Sequence, residues 1–280
     1  MKKIGLVDYY ISEWHANNYV GWIKEACEEK NLDYQVSYAW AEKDVSPVDG
    51  KTTDEWCAEF NVQKCQTIEE LCEKSDYIII LAPSNPEKHL SYAEVVLKYK
   101  KNTYIDKTFA PDYKTAKKIF DIAEENGTQF FSSSALRYAS ELKEKTDVKS
   151  VITVGGGSNL PEYIIHQLEM VVLLLNDQPI RLKVEKQESQ SVCRIEFEND
   201  KIATVIFSTT APFVVMPVDS NGKSEYLAIN SDFFKALIED IVDFFDTGKA
   251  SFAGKQTLNV AKIREGVIKG INQIGEWINL

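Results

Sequence analysis

Apolar runs alternate with amphipathic stretches through the first half of the chain, and the period of each run predicts its element. Residues 3–7 form a short apolar strand. A helix starts between Glu13 and Asn18 and runs to about Lys30, with Trp22, Ile23, Ala26 and Cys27 at helical spacing. Residues 34–40 predict a second strand, and the polar segment 41–51, with Pro47 and Gly50, a loop. Helical turns lead through Trp56 and Phe60 to Ile68 and Cys72. A buried strand at 77–81, a loop at 82–86 and a helix over about 87–100 follow. A short strand at 103–105, a helix over about 112–126 and a strand at 129–131 complete this half. Strands alternating with helices of this length imply crossover units and a parallel sheet. Ligands sit beyond the carboxyl ends of the strands in such sheets, and Lys107 lies at one of those ends.

The pattern changes after Phe131. Residues 141–147 are charged and helical, and a strand at 148–154 runs into Gly155-Gly156-Gly157. A long apolar helix covers about 161–175. Strands are then expected at 180–186, 191–198, 202–208, 213–218 and 224–229, with hairpin signals at Glu198-Asn199-Asp200 and Ser220-Asn221-Gly222. Alternation from Arg181 to Glu185 indicates a sheet with one wet face. Helices over about 232–247 and 255–278 end the chain. The expected organisation is an α/β Rossmann-like domain over 1–135 and an α+β domain with a mostly antiparallel sheet over 136–280.

Composition narrows the function classes. The chain has 280 residues, long enough for two domains, and its formal net charge of -11 repels phosphate backbones, so nucleic acid is not an expected partner. Asp8 breaks the first apolar run, so neither a signal peptide nor a membrane span is expected. The five cysteines (Cys27, Cys57, Cys65, Cys72, Cys193) form no CxxC pair, and most lie in apolar contexts. They read as reduced structural thiols in a cytoplasmic protein, with no metal site.

Candidate chemistry gathers at three places. Ala82-Pro83-Ser84-Asn85-Pro86-Glu87-Lys88-His89 forms a loop after the strand at 77–81, and Asp106-Lys107-Thr108 follows the strand at 103–105. Glu162 and His166 are four apart and share one face of the long apolar helix, in Glu162-Tyr163-Ile164-Ile165-His166-Gln167-Leu168-Glu169. A carboxylate beside an imidazole orients it and raises its basicity, which suits proton removal from a hydroxyl. The plain alternatives are a solvated lysine, a satisfied core histidine and a water-facing polar stripe. His89, near a helix start, reads as structural. Arg137 either binds substrate or braces the domain junction.

In order and spacing these motifs resemble the glucose–fructose oxidoreductase and inositol dehydrogenase family (Gfo/Idh/MocA), over nearly the whole chain. Asp106-Lys107-Thr108 is similar to the family's Glu-Lys-Pro motif with both flanks changed. The segment 162–169 is similar to its Asp-x-Gly-x-His-x-x-Asp helix, with both acids lengthened and the glycine replaced by Ile164. The resemblance implies an open-faced antiparallel sheet used for homo-oligomer formation. It implies catalytic roles for Lys107, Glu162 and His166, and oxidation of a sugar, polyol or related hydroxy compound with NAD or NADP. The cofactor would then lie along Asp8, Tyr9, Ile11, Ala82, Pro83, Asn85 and Lys107.

One departure opposes that cofactor. A Rossmann domain holds pyrophosphate with G-x-G-x-x-G after its first strand. Asp8, Tyr10 and Glu13 stand where those glycines belong, and no clear acidic ribose contact follows, Glu42 being the nearest. The loop from Asp8 to Asn18 is instead dense in aromatic and polar groups. Trp14 and His15 there suit a sugar-like or cationic substrate. The alternative is that Trp14 and Tyr19 are core contacts and that Ser12 or Asn18 caps the helix. A non-catalytic small-molecule binding or regulatory protein on the same scaffold, without a standard dinucleotide site, is the second expectation.

Overall fold

The computed structural model describes all residues, Met1–Leu280. They group into two units, Met1–Ser133 with Leu237–Phe252, and Ser134–Ala236 with Ala253–Leu280.

The first unit is built on a six-stranded parallel sheet. Its elements are β1 (Lys2–Asp8), α1 (Trp14–Lys30), β2 (Tyr34–Ala41), α2 (Thr53–Phe60), β3 (Gln63–Lys64), α3 (Ile68–Lys74), β4 (Tyr77–Ile80), α4 (His89–Val96), β5 (Thr103–Ile105), α5 (Tyr113–Asn126) and β6 (Phe130–Phe131). The strand order is β3-β2-β1-β4-β5-β6, with the reversal between β1 and β4 that makes a crevice at the carboxyl ends. Buried on both faces, the central strands are continuous apolar runs, such as Ile78, Ile79 and Ile80. Residues 237–252 pack here through aromatic contacts. Phe245 stacks on Tyr77 at 4.8 Å, Phe244 meets Phe131 at 5.0 Å, and Asp243 pairs with Lys30 at 2.8 Å.

The second unit holds β7 (Val148–Gly155), α6 (Leu160–Leu175), β8 (Pro179–Lys186), β9 (Ser191–Phe197), β10 (Ile202–Phe207), β11 (Val214–Asp219), β12 (Leu227–Ala228), α8 (Gly254–Gly270) and β13 (Ile278–Asn279); helix α7 (Phe233–Thr247) starts in it and ends in the first unit. The seven strands are ordered β12-β11-β7-β10-β9-β8-β13 and are antiparallel except for β7 beside β10. The fold class expected from the sequence, a parallel Rossmann-like sheet followed by a mostly antiparallel one, is the one found. The core forms where α6 and α8 pack against β7 and β8, around Leu168, Val171, Leu182, Val184, Ile195 and Ile263.

The last helix is shorter than the pattern predicts. It ends at Gly270, and Ile278–Asn279 pairs with β8 as an edge strand. A β-carbon at Gly270 would lie 2.5 Å from Val184 Cγ2, so glycine lets the helix end rest on β8 before the chain turns back. The strand expected at 224–229 shrinks to the two residues of β12. No helix of the structure is long and apolar enough to cross a membrane.

Candidate functional site

In the first unit the turn between β1 and α1 is organised by its two acids. Glu13 is the N-cap of α1, its backbone extended and its carboxyl folded back onto the helix start. Oε2 accepts the N–H of His15 at 2.8 Å and Oε1 accepts the N–H of Ala16. Neither Ser12 nor Asn18 has the capping role. Ser12 donates to Asp49 at 2.7 Å, and Asn18 donates to the Trp14 carbonyl one turn back. Asp8 is fully buried, and its Oδ1 accepts from Tyr9 N at 2.7 Å and Ala82 N at 3.0 Å, while Oδ2 has no partner. Burial, reinforced by Glu13, pushes the Asp8 carboxyl well above the usual carboxylate range. Burial also raises Glu13, against the pull of His15 and the two N–H groups.

Asp106 completes this cluster from the end of β5. Its Oδ2 pairs with His15 Nδ1, and Oδ1 accepts from Tyr104 OH at 3.1 Å. Burial opposes its ionisation, yet His15 and Lys107 hold it below its usual range. His15, read from the sequence as substrate-binding, is thus buried, stacked on Tyr19 at 5.5 Å. Trp14 is 51% exposed and meets Trp22 edge-on at 5.6 Å. Lys107 is half-buried at the carboxyl end of β5, where the sequence placed it.

Of the cofactor candidates in this unit, Asp8, Ile11 and Ala82 are buried and the other four are half-buried. Ile11 and Ala82 are buried, and Tyr9 lies half-buried under the ammonium of Lys88 at 4.9 Å. Pro83 and Asn85 are half-buried in the following loop, and Asn85 donates to Glu87 at 3.0 Å. His89 is structural, its ring nitrogens facing the carbonyls of Leu81 and Phe109. Glu42 accepts from Lys88 at 2.7 Å and from Tyr92 OH at 2.9 Å. A pyrophosphate seated in the ordinary way takes the first N–H groups of α1 and approaches the turn backbone closely. Two of those N–H groups, of His15 and Ala16, already face Glu13, so the residues present do not fit a dinucleotide in that mode.

In the second unit the candidates lie along α6. Asn159 caps it, accepting from Glu162 N at 2.9 Å, and donates in turn to Glu162 Oε2 at 3.1 Å. His166 Nδ1 pairs with Ser134 Oγ at 2.6 Å, and the ring meets Tyr163 and Phe213 edge-on. The hydroxyl of Ser134, rather than a carboxylate, orients this nitrogen. Glu169 is buried and accepts from Arg137 Nε at 2.8 Å and Ser134 N at 3.2 Å. Arg137, expected to bind substrate or to brace, is itself buried on that carboxylate. Sequence reasoning missed Ser134 and the capping role of Glu13. Ser134 lies far from His166 in sequence, and Glu is not among the usual N-caps.

Comparison with known proteins agrees with this architecture. Residues 43–134 match the GFO_IDH_MocA family model, described as an oxidoreductase family with an NAD-binding Rossmann fold. No curated protein sequence matches the chain. Among solved structures, myo-inositol dehydrogenase from Lactobacillus casei, in complex with NAD(H) and myo-inositol, superposes with a TM-score of 0.80 at 10% identity, covering 100% of this chain and 96% of that one. GenD2 from gentamicin A biosynthesis, in complex with NAD, gives 0.78 at 13% identity, covering 100% and 97%. UDP-N-acetylglucosamine 3-dehydrogenase GnnA from Acidithiobacillus ferrooxidans gives 0.75 at 14% identity, covering 98% and 97%. At these identities the likeness is one of fold.

Proposed function

We propose that the chain, whose residues 43–134 match the Gfo/Idh/MocA oxidoreductase family model, binds a small polyhydroxylated compound of the sugar or polyol class as a non-catalytic binding or regulatory protein. The observation that carries this reading is the occupation of the first backbone N–H groups of α1 by the carboxyl of Glu13. The ligand class rests on the relatives, two of which are named as dehydrogenases of myo-inositol and of UDP-N-acetylglucosamine. Exposed Trp14 offers an aromatic face of the kind that packs on the C–H faces of sugars. The buried, unbridged cysteines agree with a cytoplasmic protein.

A second reading is an NAD(P)-dependent oxidoreductase acting on a CH–OH group of such a compound. It is favoured by the retained Lys107 at the end of β5 and by His166, oriented through Ser134. In that reading His166 takes the hydroxyl proton, and Glu162 supports the helix start that carries His166. Thermal-shift and calorimetric titration with inositols, hexoses, UDP-sugars, NAD and NADP separates the two. A ligand that binds the native state raises the unfolding temperature by mass action. The first reading expects a shift with a sugar or polyol and none with either nucleotide. Turnover of any of these compounds with NAD or NADP, abolished in Lys107→Ala, overturns it in favour of the second.

A further inference from the structure

We infer that Glu13 is an intramolecular substitute for the phosphate of a nucleotide, and that the β1–α1 turn is closed by the chain itself against any adenosine diphosphate group. The inference deepens the proposed function and rests on it. Four observations, all within the first unit, converge.

The first is the identity of the groups that Glu13 engages. The N–H groups of His15 and Ala16 open α1, the place where partial positive charge and unpaired donors gather. These donors attract phosphate in nucleotide-binding helices. Here each carboxyl oxygen takes one of them, and the residue is only 7% exposed. An incoming phosphate must displace a buried acid and regain the same two hydrogen bonds, which leaves little net gain.

The second observation is the backbone of the turn. No residue from Asp8 to Glu13 has a positive φ. The turn therefore has no position that demands glycine, and side chains fill the space where a glycine turn admits phosphate oxygens. Asp8 turns its own carboxyl onto Tyr9 N and Ala82 N, so further backbone donors of the crevice are also taken.

The third is a row of hydrogen bonds tying the turn to the segment after β2. Glu42 N donates to Asp8 O at 3.1 Å, and Lys43 N donates to Tyr9 O at 2.7 Å. Ser46 Oγ donates to Ser12 O at 2.7 Å, and Ser12 Oγ donates to Asp49 at 2.7 Å. In a dinucleotide-binding domain the ribose lies between the first turn and the end of the second strand. Direct bonds across that gap narrow it. The fourth observation concerns the acid nearest the ribose position. Glu42 is bonded to Lys88 and Tyr92, and Lys88 also lies over Tyr9.

The test uses the full chain and three variants, with ADP-ribose, NAD and NADP as probes in calorimetry. The parent should give no binding. Glu13→Gln keeps an oxygen acceptor for one of the two N–H groups and still fills the turn, and should also give none. Glu13→Gly frees both N–H groups and should bring ADP-ribose binding about tenfold or more above the detection limit at which the parent shows none. Should the glycine variant fail to unfold cooperatively, Glu13→Ser serves in its place. Serine caps one of the two N–H groups with its hydroxyl and leaves the other free, and its side chain is too short to fill the phosphate position. Micromolar binding of ADP-ribose by the parent overturns the inference and the proposed function together. A folded Glu13→Gly or Glu13→Ser variant that gains nothing, beside a parent that takes a polyol and no nucleotide, overturns the substitute role alone.

Discussion

The carboxyl of Asp8 is held far from its ordinary chemistry. Its carboxyl is buried, has two backbone donors on one oxygen and none on the other, and faces Glu13 nearby. Burial, then the neighbouring acid, raises its pKa well above the usual carboxylate range. The folded chain therefore holds this proton to higher pH than the unfolded chain. Below the unfolded pKa the group contributes nothing to pH dependence. As pH rises above it the unfolded chain releases the proton first, and stability falls until the folded pKa is passed. Glu13 is raised for the same first reason and adds a loss of the same sign. Asp8→Asn removes the titration, keeps an acceptor for Tyr9 N and Ala82 N, and replaces the acid proton by an amide donor. The variant should melt a few degrees higher than the parent at about pH 8, with a smaller difference at about pH 4, given roughly 2–4 °C per kcal/mol at this size. Melting curves at the two pH values check it, and an equal or larger gain in acid contradicts the assignment of a raised pKa.

Among the elements, the link from β7 to α6 sets where Asn159, Glu162 and His166 stand, and it turns on Gly156. A β-carbon there would lie 2.4 Å from the carbonyl oxygen of Ser208 and 2.6 Å from that of Thr209. Both atoms are backbone just beyond β10, so they cannot rotate aside. Gly156→Ala should therefore destabilise the protein by roughly 1–3 kcal/mol, as overpacking does, and lower the melting temperature accordingly. A change within about 0.5 kcal/mol by chemical denaturation would show that the link yields. The glycine run itself was visible in the sequence, and its long-range contacts were not. The same division holds elsewhere. Helix and strand positions in both halves followed from apolar period, because each buried face must recur at the spacing of its element. Residue pairs far apart in sequence left no such trace: Ser134 on His166, His15 on Asp106, and Phe245 on Tyr77. Glu13 at the head of α1 was legible as an acid out of place among expected glycines. Its fold back onto the helix was not, since capping by a long carboxylate depends on χ angles that spacing does not encode.

At the scale of the whole molecule, the second sheet poses a question of assembly. Its α6 and α8 side is closed by the core, while the opposite side presents aliphatic groups in register. Ile152 on β7 lies beside Thr204 on β10 and Met216 on β11; Val154 lies beside Ile206, which in turn faces Val192 on β9. Ile152 is 37% exposed, and Trp277 near the sheet edge is 39% exposed under the guanidinium of Arg181, 4.3 Å from its ring. A contiguous apolar sheet face costs free energy in water and marks an interaction surface. A second copy of the chain is the occupant we propose, since one face pairing with its own copy closes a two-fold assembly. The protein should sediment as a dimer or a higher even oligomer. Ile152→Lys with Ile206→Lys places like charges opposite each other across the two-fold and should shift it to monomer. Neither side chain is fully buried, so circular dichroism of the double variant should stay that of the parent. A parent that sediments as a monomer at micromolar concentration removes the assembly and leaves the apolar face to another partner.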